Sequence, residues 1–283
     1  MRIGVSVKMR KGGYDRFGRE KYNKIRSHGF DCVDFDMCNT DHWLYALDDR
    51  EFESYLLEEK ALAEQAGIAI WQTHGPWRVP KDATEADRQE RLEKMEKSIR
   101  ATRILGSRYW VIHPLMPCGW EDMATGQAAE TWKINVAFFE KLLPIAAAND
   151  VVICLENTPF PAFSLGTPEQ VLTFIRHFGS DHLKMCLDTG HVAVIPGLSL
   201  ADAVRQGAGE IAALHVHDND GKVDSHLPPY QGVVDWQAFS SALKEIGFDG
   251  VLSLEIVPKE TLPTEEFERQ SKALAQIARK LIP

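Results

Sequence analysis

Short apolar runs rich in β-branched residues alternate along the chain with longer amphipathic ones. The short runs are IGVSV (3–7), CVDFDM (32–37), IAIWQTH (68–74), YWVIH (109–113), VVICLE (151–156), LKMCLD (183–188), ALHVH (213–217) and VLSLEI (251–256), and they predict eight strands. Helices are predicted between them at about 17–28, 50–66, 84–105, 125–148, 168–178, 199–207, 235–246 and 265–281. In the last of these, Phe267, Leu274, Ile277 and Leu281 share one stripe. Glu90/Lys94 and Glu93/Lys97, each four apart, mark a solvated face on the third helix. Thr167-Pro168-Glu169 offers an N-cap followed by proline at the first helical position. Gly67 and Gly247 stand where a helix should stop before the next strand. Eight strands, each followed by a helix, is the count of a (β/α)8 TIM barrel, here one domain over residues 1–283. The competing fold is an open doubly wound sheet. It usually carries a glycine-rich loop after its first strand, and KGG at 11–13 is not GxGxxG.

In such a barrel the functional side chains stand at the C-terminal ends of the strands. Six of the eight predicted strands end in a side chain able to ligate a metal: His74, His113, Glu156, Asp188, His217 and Glu255. Strand alternation puts Glu156 on the side of Cys154 and Val152, and Glu255 on the side of Ser253 and Val251. These small residues suit a barrel interior, so the acids should point inward. One strand-end acid or histidine is ordinarily a loop cap; six in a row are not obtained that way. Were Glu156, Asp188 and Glu255 to converge, each like-charge pair would cost roughly 4 kcal/mol at 4 Å and a dielectric of 20, or on the order of 10 kcal/mol in all. Such a cluster must hold protons or a cation, and a divalent metal on three carboxylates and one imidazole resolves it. His191, Asp224 and His226 surround this set. His215, two before His217, reads as a hydrogen-bonded core histidine, and Lys184 as one member of a structural ion pair. Trp71 and Trp110 have outward parity, which predicts packing on helices.

Composition adds limits. The chain has 283 residues, 44% hydrophobic and 26% charged, enough apolar mass for one large core. No run of about 18 apolar residues predicts a membrane span, and the N-terminus reads as a strand, without the apolar region and cleavage site of a signal peptide. Five cysteines without CxxC spacing read as free thiols, which predicts a reducing cytoplasm. A net charge of −9 disfavours a wide nucleic-acid-binding face.

Taken in order, THGPW (73–77), VIHP (111–114), LENT (155–158), LDTGH (187–191), HVHD (215–218), DSHLPPYQGVVDW (224–236) and LSLEI (252–256) resemble the xylose-isomerase-like TIM-barrel superfamily, which holds sugar isomerases and epimerases together with endonuclease IV. Likeness to its ketose epimerases implies one divalent metal on Glu156, Asp188, His217 and Glu255, with Glu156 and Glu255 as the catalytic acid/base pair and His191 touching substrate. The arginine that follows HxH in those epimerases has no counterpart, since residues 219–224 read NDGKVD. Likeness to endonuclease IV implies nine ligands for three zinc ions: His74, His113, Glu156, Asp188, His191, His217, Asp224, His226 and Glu255. Against it, the segment after the second strand, CNTDHWLYALDDREFE, is acidic.

The preferred expectation is a metal-dependent isomerase or epimerase of a sugar or sugar phosphate, working through an enediolate. The alternatives are a trinuclear zinc phosphodiesterase acting on abasic DNA and a catalytically silent sugar-binding barrel. Carboxylate ligation suits Mn2+ or Mg2+, and the added histidines move the choice toward Zn2+, with a second or third ion left open. Trp77, Trp120, Phe160 and Phe163 lie in loops after the strands, where they either stack on a sugar ring or cover the barrel mouth. Self-association as a homo-oligomer is compatible with the sequence.

Overall fold

The computed structural model describes residues 1–8, 13–40, 43–77, 84–116, 127–162 and 164–283. Eight strands form one parallel sheet: β1 (Arg2–Lys8), β2 (Cys32–Asp36), β3 (Ala69–His74), β4 (Tyr109–Ile112), β5 (Val152–Glu156), β6 (Leu183–Asp188), β7 (Ile211–His215) and β8 (Val251–Leu254). Each pairs with its sequence neighbour, and β1 also pairs with β8 through Arg2–Val251 to Val5–Leu254. The last seam is a single parallel bridge between Val216 and Leu254, held by Val216 N–H to Ser253 O at 2.8 Å and Glu255 N–H to Val216 O at 3.3 Å. The sheet is therefore a nearly closed barrel, not an open doubly wound sheet.

The helices described around it are α1 (Lys21–His28), α2 (Asp49–Gln65), α3 (Glu85–Ile104), α4 (Ala128–Ala148), α5 (Pro168–Phe178), α6 (Thr189–Ala193), α7 (Leu200–Gln206), α8 (Trp236–Glu245) and α9 (Thr264–Lys280). Thr167 caps α5 as expected and completes a capping box with Gln170. Gly67 and Gly247 adopt φ of 67° and 66°, the left-handed turn on which the chain leaves a helix. On α9, Phe267, Leu274 and Leu281 are buried, whereas Ile277 is half-buried and Ala278 takes the inner position. Among the described residues, no helix is long and apolar enough to cross a membrane.

Several expectations need correction. Strands β4, β7 and β8 end before His113, His217 and Glu255, so these three stand just past the ladder. Residues 13–20 form a 3-10 turn broken at Gly18 (φ 52°), and the predicted first helix starts only at Lys21. Lys97 does not simply face solvent: its ammonium reaches the carbonyls of Tyr45 and Leu47, while Lys94 bonds Glu90 (2.8 Å) and Thr40 O (2.9 Å). Helix α3 thus holds the loop after β2. Trp110 packs outward on α3 as expected, with Nε1–H donating to Ser98 Oγ at 2.8 Å. Trp71 does not follow the predicted parity. The β2–β3 register steps from Val33–Ile70 to Asp34–Gln72, so Trp71 is the extra residue of a bulge. It lies instead under the Arg2 guanidinium and against Tyr109, both at the N-terminal ends of their strands.

Inside the barrel, Val111, Val152, Cys154, Cys186 and Ala213 form a small apolar cluster of their own. Cys32, Cys154 and Cys186 are buried free thiols, Cys38 is half-buried, and Cys118 lies outside the described residues. Lys184 pairs with Glu210 at 2.7 Å, the structural ion pair its position suggested.

Candidate active site

Glu156, at the end of β5, is the centre on which the other strand ends converge. Its Oε1 lies 2.9 Å from His215 Nδ1, and its Oε2 lies 2.8 Å from His113 Nε2 and 3.4 Å from His74 Nε2. Asp188, at the end of β6, meets His217 Nε2 at 3.0 Å through Oδ2. Its Oδ1 accepts the His191 N–H at 2.7 Å, so the same carboxylate caps α6, a helix the sequence did not predict. Glu255 Oε2 is 3.6 Å from His215 Nδ1 and 3.8 Å from His226 Nδ1. Ligand-capable atoms of Glu156, Asp188, His215 and Glu255 all lie within 4.8 Å of one another. The same closeness joins His74, His113 and Glu156 on one side, and Asp188, His191 and His217, then His217, Asp224 and His226, on the other. The nine strand-end and loop residues singled out from the sequence therefore meet. His217 reaches the three acids through Asp188, and His215 stands among them.

Trp77 and Phe160 line a cavity of about 200 Å3 over this cluster, with the Trp77 ring 4.7 Å from that of His113. Trp120 and Phe163 lie outside the described residues.

Four supporting residues carried no signal strong enough to be singled out. Asn157 accepts the Asp188 N–H through Oδ1 (2.8 Å), donates to Asp188 O (3.2 Å), and takes the His191 Nδ1–H on its own carbonyl (2.7 Å). Asp218 accepts from Asn219 N, Val234 N, Gly232 N and Trp236 Nε1, at 2.9, 3.2, 3.0 and 2.9 Å. That buried carboxylate ties down both ends of the loop carrying Asp224 and His226. Asp34 and Gln72, from β2 and β3, lie beneath the acids. A clue existed in HVHD and LENT, where a polar residue directly follows the proposed ligand.

The hydrogen bonds test whether the site fits a cation. A carbonyl oxygen only accepts, so an imidazole nitrogen against one must carry its proton. His74 Nδ1 donates to Gly75 O (2.9 Å), His191 Nδ1 to Asn157 O (2.7 Å), and His226 Nδ1 to Glu255 O (3.1 Å). In the neutral rings Nε2 then bears a lone pair, and it faces Glu156 Oε2, Asp224 Oδ2 and Asp224 Oδ2 at 3.4, 3.2 and 3.3 Å. Two acceptors face each other in each case, which requires a proton or a metal ion. Glu156 Oε2, Asp224 Oδ1, His113 Nδ1 and His217 Nδ1 are buried without a hydrogen-bond partner, and the 2.8 Å His113–Glu156 approach is out of hydrogen-bond alignment. The donor set fits a divalent cation, with backbone carbonyls orienting the imidazoles.

Without a metal, protons fill the gap. Burial opposes charge on His74, but Glu156 overcomes it and holds the imidazole up to about 9. His191 is held up to about 10 by Asp188, Asp224 and Glu156, again against burial, and His226 to about 9 by Asp224 and Glu255. For His113 burial wins over Glu156 and its pKa falls. Glu156 and Asp188 are both held below the usual carboxylate range despite burial, the first by His215 and His113, the second by His191 and His217.

A family model described as a xylose isomerase-like TIM barrel matches residues 22–277. The chain belongs to this family. An uncharacterized protein of Methanocaldococcus jannaschii is 30% identical to it over 241 residues, 82% of this chain and 76% of that one. A D-psicose 3-epimerase of Enterocloster bolteae is 24% identical, covering 83% of this chain and 76% of its own. An inosose isomerase of Bacillus licheniformis is 26% identical over 66% of this chain and 68% of its own. Among solved structures, a D-psicose 3-epimerase crystallised in the presence of D-fructose matches with a TM-score of 0.79 and 16% identity, covering 100% of this chain and 99% of that one, a likeness of fold. The nearly closed barrel of this xylose isomerase-like protein agrees with that membership.

Proposed function

We propose that this xylose isomerase-like barrel is a divalent-metal-dependent isomerase or epimerase of a sugar or sugar phosphate, moving a proton on a carbon next to a carbonyl. The observation that carries the reading is the approach of Glu156 and Glu255 to one imidazole nitrogen, His215 Nδ1, at 2.9 and 3.6 Å. Two carboxylates that close supply both partners of a proton removal and return. Relatives named for epimerising D-psicose at carbon 3 and isomerising inosose support a polyhydroxy ketone as substrate.

Glu156, Asp188, His217 and Glu255 are the residues proposed to hold the ion, and a bound divalent cation would polarise a carbonyl and stabilise the negative charge that develops on it. Three carboxylates favour Mn2+ or Mg2+, while the surrounding imidazoles suit Zn2+. One glutamate takes the carbon-bound proton and the other returns a proton, at the neighbouring carbon in an isomerase or on the opposite face in an epimerase. His191 is proposed to bond a substrate hydroxyl, and Trp77 and Phe160 to cover the apolar face of the sugar.

A second reading has its own support. The groups around His74–His113 and Asp224–His226 flank the central acids, an arrangement that would hold more than one ion and suit phosphodiester cleavage. The net charge of −9 weighs against gripping a duplex. A silent binding barrel would not need two opposed glutamates.

Glu156→Gln and Glu255→Gln should each lower turnover of the ketose substrate by at least about 10²-fold, the usual worth of a proton-transfer group. A variant that keeps activity within about tenfold of wild type would lose its place in the acid/base pair.

A further inference from the structure

A barrel interior is ordinarily filled by layers of branched apolar side chains. Directly beneath the candidate site this one carries a polar column instead. Glu156 Oε1 meets His215 Nδ1 at 2.9 Å; His215 Nε2 meets Asp34 Oδ2 at 2.9 Å; Gln72 Nε2 donates to the same Asp34 oxygen at 2.9 Å and approaches Leu214 O at 3.4 Å. The four residues come from β5, β7, β2 and β3, so the column crosses from one wall of the barrel to the other. None is more than 2% exposed. Burying such groups is costly and seldom adds stability over an apolar filling of the same volume, so the column calls for a role beyond holding the barrel together.

The two oxygens of Glu156 differ in what they meet. Oε1 is bonded from below by His215, whereas Oε2 is buried without a hydrogen-bond partner and faces His74 and His113. Glu255 lacks this anchor: its Oε2 is 3.6 Å from His215 Nδ1, beyond hydrogen-bond reach, and its side chain is 19% exposed. We propose that His215, held in turn by Asp34 and Gln72, is a positioning residue that pins Glu156 through Oε1 and so presents Oε2 alone to the metal and substrate. The two glutamates are then unequal, Glu156 fixed and Glu255 left to move with the substrate. This rests on the reading of Glu156 as a ligand and acid/base group.

The test compares full-length wild type with His215→Leu, which removes the donor to Glu156, and His215→Asn, whose amide nitrogen can stand near the lost Nδ1. Mn2+ affinity is measured by calorimetry on chelator-stripped protein, and kcat and KM separately on the metal-loaded enzyme. Loss of an orienting partner typically weakens metal binding by about 10–100-fold, so His215→Leu should do so, with His215→Asn recovering most of it. The loss of turnover should fall on kcat more than on KM, because a misplaced acid/base group acts at the reacting carbon. If His215→Leu alone fails to fold, the double variant Asp34→Leu/His215→Leu also removes the Asp34 carboxylate that the single change leaves buried and unpaired, and still frees Glu156. Folded His215→Leu or double variant with Mn2+ affinity within about threefold of wild type, against that 10–100-fold expectation, overturns the proposal. So does a His215→Asn that binds no better than His215→Leu. Glu156→Gln separates the two layers. If it binds Mn2+ as wild type does, or if wild type binds none, the reading of the site falls and the positioning role with it. If Glu156→Gln loses the metal while His215→Leu keeps it, only the positioning role falls.

Discussion

A methyl group added at Gly190 would overlap the imidazole ring of His217. Gly190 lies within α6, where alanine would ordinarily favour the helix by about 1 kcal/mol. Overpacking a closed site costs about 1–3 kcal/mol, and the neighbour here is a buried ring bonded to Asp188, so the overlap wins. Gly190→Ala should therefore destabilise the protein by up to about 2 kcal/mol and weaken the binding of added Mn2+, read by thermal melts with and without the metal. An unchanged melting temperature and affinity would mean that His217 can move without cost. At this scale His74, His113, Glu156, Asp188, His217 and Glu255 were legible because each ends a short apolar run, and strand parity tells which way the acids of β5 and β8 point, whereas His191, Asp224 and His226 were singled out by their closeness in sequence to that set or to each other. Asp34 and Gln72 were not. Both lie in mid-strand, and only the bulge at Trp71 and the crossing of the barrel bring them under Glu156. Asn157 and Asp218 stayed unread for a related reason: most of their bonds go to backbone groups, of Asp188 for the first and of Asn219, Gly232 and Val234 for the second, which leave no mark in composition.

Helix α1 carries a titratable group that couples its packing to pH. His28 is buried against Tyr14 and Phe17, whose rings both pack on Phe267, with Nδ1 3.1 Å from Tyr14 Oη and Nε2 without a partner. Burial pushes its pKa down to about 4, with Glu268 opposing and Lys272 and Lys24 adding to the drop. The native chain thus holds the neutral ring, while the unfolded chain takes up a proton near pH 6.5. The stability linked to His28 is complete above about pH 6.5 and is lost as pH falls toward 4, up to about 3 kcal/mol in all. Denaturant melts of metal-loaded protein over this window should show the decline, and His28→Phe should remove that part of it. An equal slope in the variant would contradict the assignment. Element by element, the strands and helices followed the apolar periodicity. The departures were local hydrogen-bonding choices that periodicity does not report: the bulge at Trp71, the 3-10 turn at Gly13–Glu20, and α6, whose start depends on Asp188 serving as both cap and site residue.

Across the whole molecule, closing the barrel brings three carboxylates together, and something must neutralise them. In the metal-free protein imidazolium ions do so: His215, held against burial well above its usual range by Glu156 and Glu255 among others, and His74, His191 and His226, with pKa values of about 9, 10 and 9. A histidine raised in the folded state contributes stability that is fully present below about pH 6.5 and is lost as pH rises through the folded value. The chelator-treated protein should therefore melt at progressively lower temperature from pH 7 toward 9–10, and the metal-loaded protein should not, because the cation replaces the protons. Parallel profiles with and without metal would show that the acids are not neutralised by a bound ion. The chemistry itself is reached most directly by incubating metal-loaded protein in D2O with a panel of ketoses that includes D-psicose and D-fructose, and following deuterium entry by mass spectrometry and NMR. A single deuterium on a carbon adjacent to the carbonyl, dependent on the divalent metal and lost in Glu156→Gln and Glu255→Gln, is the predicted result. No exchange into any ketose, together with cleavage of an abasic-site duplex that disappears in His74→Ala and His226→Ala, would contradict it and assign the site to phosphodiester chemistry.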